Sequence, residues 1–177
     1  MPDHLALRPV TEADLDAFDA AFQSESGATP HQWFGFTPTI ALREALRTRG
    51  LLAGADNMLA VTVDGELAGR VEWLERRWGR RDTSLCWEIA VGLLPDWRGR
   101  GVGTRAQREL VRYLFTHTRV ERVQATTDPE NTPEIRCLEK IGFQLEGVVR
   151  RAQWRGGRWH DQLLFSILRD EFDLASG

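Results

Sequence analysis

The chain has 177 residues, a length that suits one domain, 1–177, with a real hydrophobic core. Apolar residues make up 42% and charged residues 28%, with a net charge of -3. That balance belongs to globular proteins and offers no global basic field for nucleic acid. No apolar run approaches the length of a membrane span. The start, Met1-Pro2-Asp3-His4, lacks a basic-then-apolar leader pattern. A cytoplasmic location is expected, with neither nucleic acid nor membrane as a partner. The two cysteines, Cys86 and Cys137, each sit in an apolar run. They read as buried reduced thiols. No paired Cys/His spacing of the zinc type occurs, so no metal is expected.

Leu5 to Val10 reads as a first strand. Thr11 then caps a helix, with Asp14 at its third position in a near capping box. Leu15, Phe18, Ala21 and Phe22 form the apolar stripe of that helix. Residues 23–38 break the pattern with Ser, Gly and Pro, and carry His31, Trp33, Phe34 and Phe36. A second helix is expected from about Thr39 to Thr48. Asn57 to Val63 is a strand, Asp64-Gly65 a hairpin turn, and Leu67 to Leu74 the returning strand. Arg76 to Asp82 reads as a loop. Leu85 to Leu94 is the fourth strand, with Gly92 marking a bulge or a close backbone approach to a ligand. A long helix follows from Val102 to Thr118, burying Val102, Ala106, Leu110, Val111 and Leu114. Val120 to Thr126 is a fifth strand. Asn131 or Thr132 caps the next helix, Pro133 suits its first turn, and Gly142 ends it. Phe143 to Val149 and Leu163 to Leu168 are the last strands, with the turn at Arg155 to Arg158. The order β-α-α-β-β-β-α-β-α-β-β predicts an α+β (mixed α/β) fold with four helices on one sheet.

The stretch from Pro95 to Thr104 joins an apolar strand to a long helix. Its glycines, Gly99, Gly101 and Gly103, let the backbone come close to a ligand. The first amides of the helix have no partner within it. The helix dipole adds partial positive charge, and Arg98 and Arg100 add full charges. Together these features predict an anion site for a phosphate or pyrophosphate. A P-loop is excluded, because no Gly-Lys-Ser/Thr ending follows. The dinucleotide fingerprint is incomplete, because position 104 is Thr.

Arg98-Gly99-Arg100-Gly101-Val102-Gly103 resembles the coenzyme A loop of GNAT-type N-acetyltransferases. Other pieces arrive in that family's order over almost the whole length. Leu7-Arg8-Pro9 with Asp14-Leu15 is similar to its opening. Trp87-Glu88-Ile89-Ala90-Val91 resembles the fourth strand of the RimJ/RimL-like branch. Asn131 with Arg136 and Leu138 to Phe143 is similar to a second coenzyme-contact region. Gly157 to Asp161 and Leu168 to Glu171 match the closing hairpin. Two departures stand out: Glu134 occupies a position where many relatives carry serine, so any role of that hydroxyl is absent, and the Trp33/Phe34/Phe36 loop has no recognisable substrate motif; both leave the acceptor open.

The resemblance implies a mostly antiparallel central sheet, splayed between strands 4 and 5. It implies acetyl transfer from acetyl-CoA to a primary amine, by direct attack in a ternary complex. Pantetheine would pair with the backbone of Val91, Gly92 and Leu93, and Arg98 to Thr104 would hold the pyrophosphate. Arg136 or Lys140 would meet the remaining phosphate or stand as solvated helix charges. Glu88 is the candidate base, alone or through a water, or else a structural carboxylate paired with an arginine. Asn131 would hold pantetheine or acceptor, act as a helix cap, or do both. Trp33, Phe34, Glu72 and Glu88 are the candidate acceptor contacts, or the loop aromatics plug the end of the sheet. His160-Asp161 reads as a structural hairpin pair or else a substrate contact, and the group that protonates the leaving thiolate is not identified. A non-catalytic acyl-CoA-binding or sensing module is the alternative. A homodimer fits the family, yet no residue pattern decides it.

Overall fold

The computed structural model describes residues 4–37 and 39–174. Pro38, at the end of the loop read as 23–38, and the opening residues 1–3 lie outside them. Seven strands form one sheet in the order β1-β2-β3-β4-β5-β7-β6. They are β1 (Leu5–Pro9), β2 (Asp56–Val63), β3 (Glu66–Arg77), β4 (Leu85–Leu93), β5 (Arg122–Thr127), β6 (Gln144–Arg155) and β7 (Arg158–Leu168). Strands β4 and β5 are parallel. The β1–β2, β5–β7 and β6–β7 pairs are antiparallel. Four helices of ten residues or more accompany the sheet: α1 (Glu12–Phe22), α3 (Ile40–Arg49), α5 (Val102–His117) and α6 (Thr132–Ile141). Two single turns, α2 (Glu25–Ala28) and α4 (Arg81–Ser84), complete the helices of the described residues. The expected α+β fold with four principal helices is therefore the observed one.

The chain divides into two compact units. The first comprises Met1–Glu72 and Val91–Ala106. Its core joins Val10, Leu15, Phe18, Leu51, Met58 and Ala60, with Phe22, Leu42, Leu46 and Leu94 packed against them. Burying each large apolar side chain stabilises by roughly 1.5–3 kcal/mol. The start of α1 is fixed by the expected capping box: Asp14 N–H donates to Thr11 Oγ1, and Thr11 N–H donates to Asp14 Oδ2. Arg8 adds a two-pronged ion pair to Asp14, at 2.6 and 2.8 Å. The Arg8 hydrogen bonds are the largest cause holding the Asp14 pKa down to about 2. The Asp64-Gly65 turn takes positive φ at both residues, 51° and 86°, as a type I′ hairpin requires.

The second unit comprises Trp73–Ala90 and Gln107–Gly177. Val111, Leu114, Phe115, Val123, Leu138, Ile141, Phe165 and Ile167 are buried in it. Arg169 closes the end of α5 by donating to the carbonyls of Phe115, Thr118 and Val120. Gly142 ends α6 in the left-handed conformation, as expected.

Three boundaries differ from the sequence reading. The closing hairpin runs on, with β6 reaching Arg155 and β7 starting at Arg158. A bulge between Val149 and Gln153 breaks the alternation there. Strand β3 continues to Arg77, two residues into the expected loop. The 23–38 segment contains α2, capped by Ser24 Oγ, which accepts from Gly27 N–H. Gly27 is required there, because a Cβ would lie 1.6 Å from the Ala21 carbonyl oxygen.

Candidate functional site

The turn before α5 starts with a 3-10 segment, Pro95–Trp97. Gly99 and Gly101 then take φ of 71° and 75°. Side chains other than glycine adopt that region only at a cost, so these two glycines are needed for the path of the chain. Arg105 N–H donates to the Gly101 carbonyl and opens the helix. The amides of Val102 and Gly103 therefore lack an acceptor within it. No acidic residue lies in the first turn of α5, whereas Glu12 and Asp14 occupy that of α1 and Glu134 that of α6. The dipole end is left uncompensated, as an anion site needs.

The two arginines of the turn part company. Arg100 lies 5.6 Å over the Trp97 ring and is otherwise exposed. Arg98 is spent inside the protein: Nε donates to the Leu93 carbonyl at 3.1 Å, and its other nitrogens donate to the Ser26 and Gly27 carbonyls. Burial lowers its pKa. Its guanidinium thus braces the turn against α2, and only its main chain remains to a phosphate.

Strand β4 has two edges. Leu94 N–H donates to the Ala68 carbonyl of β3. Gly69 is needed at this crossing, since a Cβ on it would meet the Gly92 carbonyl oxygen at 2.3 Å. The chain that comes close to Gly92 here is thus β3. Strand alternation turns Val91 and Leu93 to the opposite edge. There Gln32 Nε2 donates to the Val91 carbonyl at 3.0 Å, and Arg98 takes that of Leu93. Gln32 carries no signal in the sequence that marks it. Trp33 is half-buried, edge-on to Phe36 at 5.4 Å, and Phe34 is 55% exposed. Glu72 is paired with Arg70 at 2.5 Å.

In the second unit the β4–β5 ladder consists of Trp87↔Val123 and Glu88↔Gln124. The Glu88 carboxylate accepts from Gln124 Nε2 at 2.8 Å, Arg76 Nε at 3.1 Å and Thr126 Oγ1 at 3.3 Å. Glu88 is thus paired with an arginine, as its structural reading expects, and that arginine is half exposed. Asn131 stands at the start of α6, but its side chain makes no cap hydrogen bond. Arg136 and Lys140 are exposed. Tyr113 packs against Trp73 and His117. Cys86 is buried, which pushes its thiol pKa up, and it donates to Gln124 Oε1.

The His160-Asp161 pairing is replaced by another. His160 Nδ1 lies 3.0 Å from Asp128 Oδ2, beside Arg155 at 2.5 Å from the same atom. Asp161 instead accepts from Arg151 N–H. Adjacent residues on a strand face opposite sides, so His160 and Asp161 find different partners. Among the described residues, no group of His, Cys, Asp and Glu is arranged to hold a metal ion, and no helix is long and apolar enough to cross a membrane.

An acetyltransferase (GNAT) domain model matches residues 4–144. The chain is 36% identical over 85 residues to an uncharacterized N-acetyltransferase, p20, of Bacillus licheniformis, covering 48% of each chain. It spans about half the length of the first curated relatives it matches. It is 26% identical over 168 residues to spermidine N(1)-acetyltransferase of Escherichia coli (strain K12), covering 94% of this chain and 87% of that one. Mycobacterium smegmatis RimJ, solved in complex with CoA-disulfide, superposes with a TM-score of 0.78 at 26% identity, covering 94% of this chain and 83% of that one. The match over residues 4–144 takes in the strand, the glycine turn and the helix described above, and this chain belongs to the acetyltransferase (GNAT) domain family.

Proposed function

We propose that the chain acts as one catalytic domain that transfers an acetyl group from acetyl-CoA to a primary amine, by direct attack in a ternary complex. The observation that carries this reading is the start of α5, with Gly99 and Gly101 at positive φ and no acid in the first turn. In this reading the amides of Val102 and Gly103, the main chain of Arg98 to Thr104 and the Arg100 side chain hold the pyrophosphate. Pantetheine pairs with the free edge of β4 at Val91 and Leu93, next to Gly92, displacing Gln32. Asn131, whose side chain is not used as a cap, steadies the pantetheine arm, and Arg136 meets the remaining phosphate.

The chemistry asks for little more. The Val91 N–H receives the thioester oxygen as it gains charge. Glu88 takes the amine proton, directly or through a water. Holding both substrates together supplies much of the rate. Trp33 and Phe34, with Glu72 and Glu88, favour a cationic acceptor, and a polyamine is the class that the spermidine relative suggests. A cytoplasmic setting suits the free thiols.

The test is consumption of acetyl-CoA across polyamines, peptides with free N-termini and small amines. Turnover on at least one class is expected. Binding without turnover on every class would favour a silent acyl-CoA-binding module.

A further inference from the structure

The outer half of the closing hairpin is basic and aromatic. From Gly147 to Leu168 the chain holds four arginines, Arg150, Arg151, Arg155 and Arg158, and one acid, Asp161. Arg155 is buried and spent on Asp128. The other three are exposed, and among the described residues none of them stands in an ion pair. Asp161 is already engaged: it accepts from the main-chain N–H of Arg151 at 2.7 Å. The whole chain has a net charge of -3, so the positive charge here is local to the hairpin.

The same stretch exposes two indoles. Trp154 and Trp159 face each other across the strands, with ring centroids 5.5 Å apart and planes at 71°. Each is more than half exposed, at 55% and 56%. The ring-to-ring contact takes only part of each indole, and the rest of both meets solvent. Further down the hairpin, at the bulge of β6, lies an open hollow of about 860 Å³, lined by Val148, Val149, Arg150, Arg151 and Asp161. That is room for a nucleotide-sized group. Strand β6 is the last of the sheet, so no further strand covers these groups. The Gly156-Gly157 turn, with φ of 55° and 78°, holds both strands in one ribbon.

Exposed π-faces beside unpaired guanidinium groups are the chemistry that holds single-stranded nucleic acid. Bases stack on the rings and phosphates meet the arginines, whatever the base sequence. An acidic peptide would answer the arginines and leave the indoles without a stacked partner. A second copy, bound about a two-fold axis, would set the same three arginines against each other. We infer that the outer half of the β6–β7 hairpin binds a single strand of RNA or DNA. Bases stack on Trp154 and Trp159, and phosphates meet Arg150, Arg151 and Arg158.

The test is the anisotropy of fluorescein-labelled oligouridine and oligodeoxythymidine, titrated with the full chain at several salt concentrations, with and without coenzyme A. Saturable binding of both is expected, and the tighter probe identifies the source of the strand. With three phosphates met, log affinity should fall against log salt with a slope of about -2. Arg150→Gln with Arg158→Gln should weaken binding about tenfold and bring the slope to about -0.7, at an unchanged melting temperature. Trp154→Leu keeps an apolar contact for Trp159 but no stacking face, and should also cost about tenfold. No binding at low salt, unaltered affinity in both variants, or displacement by coenzyme A would overturn the inference. So would a polyglutamate probe bound as tightly as the oligonucleotides, or a dimer in sedimentation that Trp154→Leu breaks apart.

Discussion

Gln32 holds the carbonyl oxygen of Val91 through its side-chain amide, at 3.0 Å. The contact ties the loop carrying Trp33 and Phe34 to the one edge of β4 that faces away from β3. In the proposed function it also occupies the acceptor at which pantetheine would pair. Replacing Gln32 by Ala should tighten acetyl-CoA binding about twofold, the low end for an exposed neutral hydrogen bond. The acceptor KM should rise as the loop loosens. Calorimetry and steady-state kinetics check this, and weaker coenzyme binding in the variant would contradict it.

Arg98 and Arg100 are two residues apart and should fail differently. Arg98→Ala removes the brace to the Leu93, Ser26 and Gly27 carbonyls and should cost about 2 kcal/mol of stability. Arg98→Lys should not rescue it, because one ammonium cannot span the same fork. Arg100→Ala should leave the melting temperature alone and weaken acetyl-CoA binding about tenfold, for one charged phosphate contact. Thermal unfolding beside calorimetry separates the two. An Arg98 variant of full stability would remove its bracing role.

Glu88→Gln keeps an acceptor for Gln124 and Thr126 but ends the ion pair with Arg76. It should leave acetyl-CoA affinity intact and lower kcat at least tenfold. A kcat equal to the wild type across the pH range would remove Glu88 as the base and leave it a structural carboxylate.

Two carboxyls give stability opposite slopes with pH. The Asp14 pKa is held at about 2, chiefly by the Arg8 hydrogen bonds. Its contribution is present above the ordinary value of 3.8 and lost as pH falls toward 2. With Arg8 partly exposed, Asp14→Asn should cost about 1–2 kcal/mol at neutral pH, and less at pH near 2. Glu134 runs the other way: its pKa rises from 4.5 to about 7, so stability is full at low pH and declines as pH climbs through that window. Glu134→Gln should raise stability by roughly 1–3 kcal/mol near pH 8 and change little near pH 5. Thermal unfolding at three pH values checks both signs. A gain for Glu134→Gln that is the same at every pH would contradict the assignment.

Local chemistry made much of the fold legible. The Thr11/Asp14 capping box, the Asp64-Gly65 turn and Gly142 at the end of α6 each depend on neighbours in sequence. So does the stripe Val102, Ala106, Leu110, Val111 and Leu114 on α5, every member of which is buried. The turn of the closing hairpin was readable at Arg155 to Arg158, but the strand extensions on either side of it were not, because a bulge shifts the register and most of their residues are polar. The hairpin's tip is stapled by the Trp154–Trp159 cross-strand pair, with ring centroids 5.5 Å apart. At the site, the backbone role of Gly99 and Gly101 was readable from glycine alone. The fates of Arg98 and Glu134 were not. Arg98 meets carbonyls of Ser26 and Gly27, and Glu134 meets Gln107, partners that no local pattern connects to them.

Titration of the protein with acetyl-CoA in a calorimeter, beside the Gly101→Glu variant, tests the central claim most directly. Glutamate there meets a left-handed backbone position and sets a negative charge against the phosphates. The account predicts saturable one-to-one binding by the wild type and none by the variant. No heat from the wild type, or equal affinity in a folded Gly101→Glu variant, would contradict it.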